Sequence, residues 1–69
     1  MDLMMTPERI KSLIGLDVEV SKSDTDEYFW LRYAAHGQTK SERVMMDATE
    51  DDLRRLRDRL DAWADEEQG

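Results

Sequence analysis

The hydrophobic pattern begins with a short helical repeat, formed by three apolar residues spaced three and one apart: Ile10, Leu13 and Ile14. Thr6 can accept a hydrogen bond from the first turn of such a helix, and Pro7 suits its first position. Gly15 is the residue type that most often ends a helix. The sequence therefore predicts a short helix between Thr6 and Gly15.

The middle of the chain alternates apolar and polar residues, which is the pattern of half-buried strands. Three segments show it: Leu16–Ser21, Glu27–His36 and Glu42–Ala48. The polar stretch Gly37–Ser41 is predicted to be the hairpin loop between the second and third strands. Because consecutive strands with short connections pair antiparallel, we expect an antiparallel meander.

A second helix is predicted after Thr49, which precedes three acids suited to a helix N-terminus. Its apolar stripe consists of four residues at helical spacing, all expected in the core: Leu53, Leu56, Leu60 and Trp63. The predicted fold class is therefore α+β: a short N-terminal helix, a three-stranded antiparallel meander, and a C-terminal amphipathic helix packed on one sheet face. Residues 1–69 form a single domain, with flexible tails expected at 1–5 and 65–69.

The second predicted strand has two different faces. Phe29 and Leu31 lie on the face expected to meet the core. The opposite face gathers residue types enriched at the centres of protein interfaces, and Met45 of the third strand adds to them: Tyr28, Trp30, Arg32 and Met45. We predict that these residues bind a partner. Self-association through this face, or coverage by another part of the chain, are the alternatives.

Charge is unevenly distributed. Seventeen acids and ten bases give a net charge of −7. Residues 1–26 hold six acids and three bases, residues 27–48 three of each, and residues 49–69 eight acids and four bases. This charge argues against direct binding to nucleic acid or to anionic membranes, because phosphates require basic contacts. It favours a basic protein surface as the partner.

Two acidic clusters are predicted to contact that basic surface: Asp24, Asp26 and Glu27 in the first turn, and Glu50, Asp51 and Asp52 at the start of the second helix. Carboxylates offer oxygens that arginine takes up in pairs, as it does those of phosphate. The clusters would then occupy a groove that normally holds phosphates. The alternative for residues 50–52 is helix capping, and for the acids at 65–67 it is a solvated tail.

No pattern typical of a catalytic, cofactor or metal site occurs in the sequence. The three glycines are scattered and cysteine is absent, so neither a phosphate-binding loop nor a thiolate site is indicated. His36 is the single histidine and lacks an evident nucleophile or pocket. We predict a non-enzymatic protein without cofactor or metal. A small hydrolase or metal-dependent enzyme using His36 and nearby carboxylates is a minor alternative.

The length of 69 residues limits the hydrophobic core, and no disulfide compensates for that. Self-association is one way for such a chain to gain stability. The alternative function is therefore a homodimeric structural or regulatory accessory protein, of the antitoxin kind, with the aromatic sheet face as its seam. No segment approaches the ~20 apolar residues of a membrane span. The absence of cysteine fits a reducing cytoplasm, which is the expected location.

The stretch from Arg43 to Leu53 runs from a strand into a capped, acid-rich helix. In layout it resembles the small acidic anti-CRISPR inhibitors of bacteriophages, over residues 43–67. The resemblance carries no motif that would assign a role to a single residue. It implies binding to a CRISPR surveillance complex or nuclease and blocking of DNA access, often by acids that imitate the DNA backbone. The predicted function is accordingly an acidic inhibitor of a nucleic-acid-binding protein complex.

Overall fold

The computed structural model describes residues 5–15 and 17–68, with side chains as far as Glu66. Its elements are, in chain order, α1 (Pro7–Ile14), β1 (Glu19–Lys22), β2 (Tyr28–Ala35), β3 (Gln38–Met45) and α2 (Glu50–Gln68). The three strands form one antiparallel sheet in the order β1-β2-β3. The predicted α+β fold class is confirmed.

Helix α1 begins as its capping residues predict. The Thr6 side-chain oxygen accepts a hydrogen bond from the Arg9 backbone N–H at 3.2 Å, and Pro7 occupies the first turn. At the other end, the Gly15 N–H donates to the Lys11 carbonyl at 2.8 Å. The helix therefore has a defined start and stop.

The segment that precedes α1 belongs to the core. Met5 is buried together with Ile10 of the first helix, which is the contact that fixes the entry of a chain into a helix. The Met5 N–H also donates to the Met46 carbonyl at 3.4 Å. Met5 is thus packed, although the sequence places it in the N-terminal tail. Residues 1–4 and 69 of the predicted tails lie outside the described residues, and α2 continues through Gln68.

The turn between β2 and β3 is tighter than the sequence predicts. It consists of His36 and Gly37 alone, with φ of 54° and 78°, the backbone that two-residue hairpin turns require. The predicted loop Gly37–Ser41 is therefore wrong, because β3 already begins at Gln38 and ends at Met45. Its first half is polar on both faces, so it carries no alternation to detect. Likewise β1 begins at Glu19, and Leu16, its predicted start, lies outside the described residues.

The core lies between the helices and one face of the sheet. The buried apolar side chains come from every part of the fold: Met5, Ile10, Ile14, Val18, Phe29, Leu31, Val44, Leu53, Leu56 and Leu60. Phe29 and Leu31 point to this face as predicted, and both helices pack there. The opposite face of the sheet is left open by the described residues.

Trp63 does not lie in the core as its place in the helical stripe predicts. It is half-buried and packs edge-to-face on Tyr33, with ring centroids 6.0 Å apart. The Lys40 ammonium lies 5.8 Å from the centre of the indole ring. Trp63 is only half-buried because it follows the last buried residue of the stripe, Leu60. At that point α2 lies over the hairpin end of the sheet.

Candidate functional site

The open face of the sheet carries a cluster that we call the aromatic patch: Tyr28, Trp30, Arg32, Arg43 and Met45. Strand pairing assembles it, because Tyr28 lies opposite Met45 and Trp30 lies opposite Arg43. Trp30 is 40% exposed and Met45 is 48% exposed. The structure thus brings together all four residues that the sequence predicts for this face.

Contacts within the aromatic patch hold its side chains in place. The rings of Tyr28 and Trp30 meet edge-to-face with centroids 5.4 Å apart. The Arg43 guanidinium lies 5.5 Å from the centre of the Tyr28 ring. Arg32 is 3.9 Å from the Glu19 carboxylate on β1. Such contacts reduce the conformational entropy that these side chains lose when a partner binds.

Arg43 is a patch residue missing from the predicted binding set. Its position in the sequence, two residues before Met45 in the same strand, places both side chains on the same face. That period-two signal could have identified it. The contact with Tyr28 depends on strand register, which the hairpin turn fixes.

The two predicted acidic clusters lie at the same end of the sheet. β2 begins where β3 ends, so the β1–β2 turn and the β3–α2 connection meet there, and the Met46 N–H donates to the Glu27 carbonyl at 3.4 Å. We call this region the acidic end; it contains Asp24, Asp26, Glu27, Asp47, Glu50, Asp51 and Asp52. It adjoins the aromatic patch directly, because Tyr28 follows Glu27 in the chain.

Several acids of this end already have partners within the fold. Asp26 lies 3.4 Å from the Lys22 ammonium. Glu50 pairs with Arg9 and, at 3.5 Å, with Arg54. Asp51 also pairs with Arg54, at 3.3 Å. These are exposed or half-exposed pairs, of the kind that contributes little to stability, but they neutralise part of the charge.

Three acids of this end remain uncompensated. In the part of the chain with described side chains, no ion pair involves Asp24, Glu27 or Asp47, and all three are exposed. Asp47 is absent from the predicted binding set. It lies in the connection between β3 and α2, which the alternating pattern predicts to be the end of the third strand. The charge available to a partner is therefore concentrated on the two connections that flank Tyr28 and Met45.

Asp52 serves as a cap of α2. The Thr49 N–H donates to Asp52 Oδ2 at 3.1 Å, and the Asp52 N–H donates to Thr49 Oγ1 at 3.2 Å, which is the reciprocal arrangement of a capping box. The hydrogen bond from the Thr49 backbone, and then that from its side chain, hold the pKa of Asp52 below its ordinary value of 3.8. For this residue the capping alternative matches the geometry.

Replacing Thr49 with alanine is expected to lower the free energy of unfolding by about 0.5–2 kcal/mol, because the first turn of α2 loses a cap acceptor. Urea unfolding followed by circular dichroism measures the effect. Thr49→Ser, which keeps the hydroxyl acceptor of the cap, is the matched control and should change stability less. Equal effects of the two substitutions would contradict the capping role.

The same cap predicts a dependence on pH. Because the pKa of Asp52 is lowered in the folded state, its stabilisation is fully present above the ordinary carboxyl pKa and is lost as pH falls through the lowered value. The stability difference between the natural protein and Asp52→Asn should therefore stay constant near neutral pH and shrink in acid.

The third acidic group lies away from the other two. Asp65 and Glu66 follow Trp63, which packs near the hairpin end of the sheet, and both are exposed. The acidic end is at the opposite end of the strands. These acids therefore cannot share one contact surface with Asp24 and Glu27.

Other chemistry has little support in the described part of the chain. Among those residues, no group of three or more histidine, cysteine or acidic side chains is placed to hold a metal ion. His36 is exposed in the two-residue turn, remote from the acidic end. The described helices also include none with the length and apolar character needed to cross a membrane.

Comparison of the chain with protein-family models, curated proteins and solved structures finds no match. The case for a function therefore rests on the geometry of the aromatic patch and the acidic end. The resemblance to anti-CRISPR inhibitors stays a prediction.

Proposed function

We propose that this protein is a non-enzymatic acidic binding protein that engages a basic surface of another protein. The observation that carries the proposal is the pairing of Tyr28 with Met45, which joins the aromatic patch to both connections of the acidic end. The aromatic patch and the acidic end therefore form one continuous surface, with apolar side chains at its centre and carboxylates beside them. This is the arrangement of a typical interface, with a desolvated centre and a polar rim.

The two parts of the surface would contribute in different ways. Trp30, Tyr28 and Met45 would supply affinity, because exposed aromatic and methionine side chains gain most from removal from water. Asp24, Glu27 and Asp47 would supply orientation and association rate, since charges at the rim act over distance and are screened by salt. Binding should therefore depend on salt without vanishing at high salt.

The basic surface that we favour is one that normally binds nucleic acid. Such grooves present arginine and lysine to phosphate oxygens, and carboxylates offer arginine the same acceptors. The inhibitor function, with a CRISPR effector or another nucleic-acid-binding complex in the cytoplasm as target, follows from this chemistry and from the resemblance in layout. Glu50, Asp51 and Asp52 would add to the field of the acidic end, although each has a contact within the fold.

A homodimer with the aromatic patch as its seam is the second candidate. The exposure of Trp30 and Met45 favours it, because apolar side chains of this size are usually covered in soluble proteins. The charges of the face weigh against it. A symmetric seam centred on these residues would bring Arg32 and Arg43 of the two copies close together, and like charges that face each other are unfavourable.

Reversing charge at the acidic end is expected to weaken partner binding about tenfold or more and to flatten its salt dependence. The variant is Asp24→Lys with Glu27→Lys, because neither carboxylate has an ion pair among the described side chains. The partner is captured from a nuclease-treated cell extract on the immobilised protein. Its affinity is then measured by calorimetry at about 50 mM and about 500 mM salt.

Asp61→Lys with Glu66→Lys is the matched control, because it makes the same change in net charge with two exposed acids distant from the patch. Equal weakening by both variants would show that net charge alone governs binding. An unchanged affinity and salt slope in the acidic-end variant would refute the proposed contact.

A further inference from the structure

The outer edge of β3 is a surface separate from the aromatic patch and the acidic end. β3 has eight residues and lies at one side of the sheet, while β1 at the other side has four. Its register with β2 is unbroken from Gln38 to Met45, without a bulge, and the strand contains neither proline nor glycine. A long regular edge of this kind presents unpaired backbone groups that can accept another strand.

The hairpin turn determines which backbone groups point outward. Ala35 and Gln38 flank the two-residue turn and so form a hydrogen-bonded pair. Hydrogen-bonded and non-hydrogen-bonded pairs alternate along an antiparallel ladder. It follows that Thr39, Ser41 and Arg43 direct their N–H and C=O groups away from β2.

The charges beside Ser41 are arranged for pairing with a second copy. Lys40 and Glu42 flank it, both half-buried on the helix side of the sheet. If two β3 strands pair antiparallel about Ser41, each Lys40 lies opposite Glu42 of the second copy. A centre at Lys40 would oppose two lysines, and a centre at Glu42 would oppose two glutamates, and both arrangements are unfavourable.

The geometry of the backbone supports the same centre. With Ser41 on the two-fold axis, Ser41 and the Thr39–Arg43 pairs become the hydrogen-bonded positions, which matches the outward groups of β3. The Lys40–Glu42 pairs then fall at non-hydrogen-bonded positions, where side chains approach most closely. Backbone and side-chain requirements are therefore met by one register.

We infer that two copies of this chain pair antiparallel through β3, with Ser41 on the two-fold axis, to form one continuous sheet from the two three-stranded sheets. Helix α2 packs over β2, and a cavity of ≈ 230 Å³ lies beside β3, lined in part by Val44, Leu56 and Arg59. α2 reaches β3 at Lys40, whose ammonium lies 5.8 Å from the centre of the Trp63 ring. The antiparallel arrangement also places the two acidic ends at opposite ends of the dimer, which limits their repulsion.

The test is sedimentation equilibrium of the full chain and three variants. The natural protein should be a dimer at micromolar concentration. Glu42→Lys and Lys40→Glu each oppose like charges and should raise the dimer dissociation constant at least about tenfold. The double variant Lys40→Glu with Glu42→Lys restores opposite charges and should dimerise like the natural protein. Circular dichroism of each variant checks that it is folded.

Two further variants separate this inference from the alternatives. Ser41→Pro removes a backbone N–H that points away from β2. The substitution therefore breaks no hydrogen bond between β2 and β3, and it should abolish dimerisation. Trp30→Ala should leave the dimer intact, because the aromatic patch is not in the seam. A dimer dissociated by Trp30→Ala and insensitive to Glu42→Lys would overturn the inference and assign the seam to the patch. A natural protein that is monomeric throughout the concentration range would also overturn it.

Discussion

Replacing Leu31 with alanine is expected to lower the free energy of unfolding by about 2–5 kcal/mol, the range for a buried leucine whose site cannot collapse. Leu31 is fully buried at the centre of β2, the middle strand, on the face that α2 packs against. A domain of this size rarely has more than about 3–5 kcal/mol of total stability. The variant should therefore be largely unfolded at room temperature.

Urea unfolding, followed by both circular dichroism and tryptophan fluorescence, measures this effect. Leu13→Ala is the matched control, since it removes the same atoms from a half-buried side chain of α1. We expect its effect to be less than half as large, because less apolar surface leaves water at that site. A similar stability of the two variants would contradict the assignment of Leu31 to the centre of the core.

The second large effect is expected for Ile10→Ala, which should also lower the free energy of unfolding by about 2–5 kcal/mol. Ile10 is fully buried, although α1 has only eight residues. A helix this short is not stable by itself in water. Its structure depends on packing against α2 and β1, so the loss of Ile10 should weaken the whole fold.

Hydrogen exchange distinguishes this cooperative loss from local fraying of α1. If α1 is part of the core, Ile10→Ala accelerates amide exchange in α2 and β2 as well as in α1. Ser12→Ala, at an exposed position of the same helix, serves as the control and should leave the exchange of β2 unchanged. Acceleration confined to residues 7–14 would show that α1 is only loosely attached.

Stability and binding are expected to respond to different residues. The core positions Leu31 and Ile10 have no exposed surface for a partner, whereas Trp30 and Met45 contribute little to the core and are well exposed. Asp24 and Glu27 lie in a turn without ion pairs among the described side chains. Their substitution should therefore affect binding without unfolding the protein.

Some features of the fold were predictable because they are local. Thr6 and Thr49 cap the two helices, and as typical capping residues they mark both helix starts in the sequence. Period-two alternation in β2 separates Phe29 and Leu31 from Tyr28 and Trp30, since side chains of a strand alternate between its faces. The predicted start of β3 is wrong because its first residues are polar on both faces and carry no such signal.

The aromatic patch was predictable in part for the same reason. Alternation places Tyr28, Trp30 and Arg32 on one face of β2, and alternation in the third predicted strand places Met45 on the outward face beside them. Alternation also places Arg43 on this face, although the predicted binding set left it out, and only its contact with Tyr28 depends on the register that the two-residue turn sets. Trp63 was predicted to be buried in the core but is half-buried, because the spacing of apolar residues along a helix does not show where the sheet beneath the helix ends.

The sequence by itself determined the element order, the helix caps, the two faces of β2 and the net charge of −7, because each depends on neighbouring residues or on composition alone. Only the tertiary structure decided which acids lie together and which of them form ion pairs within the fold. Asp24 and Asp47 are far apart in the chain and meet at one end because β2 begins where β3 ends. Such proximity is a consequence of strand pairing over long sequence separations, which no local pattern encodes.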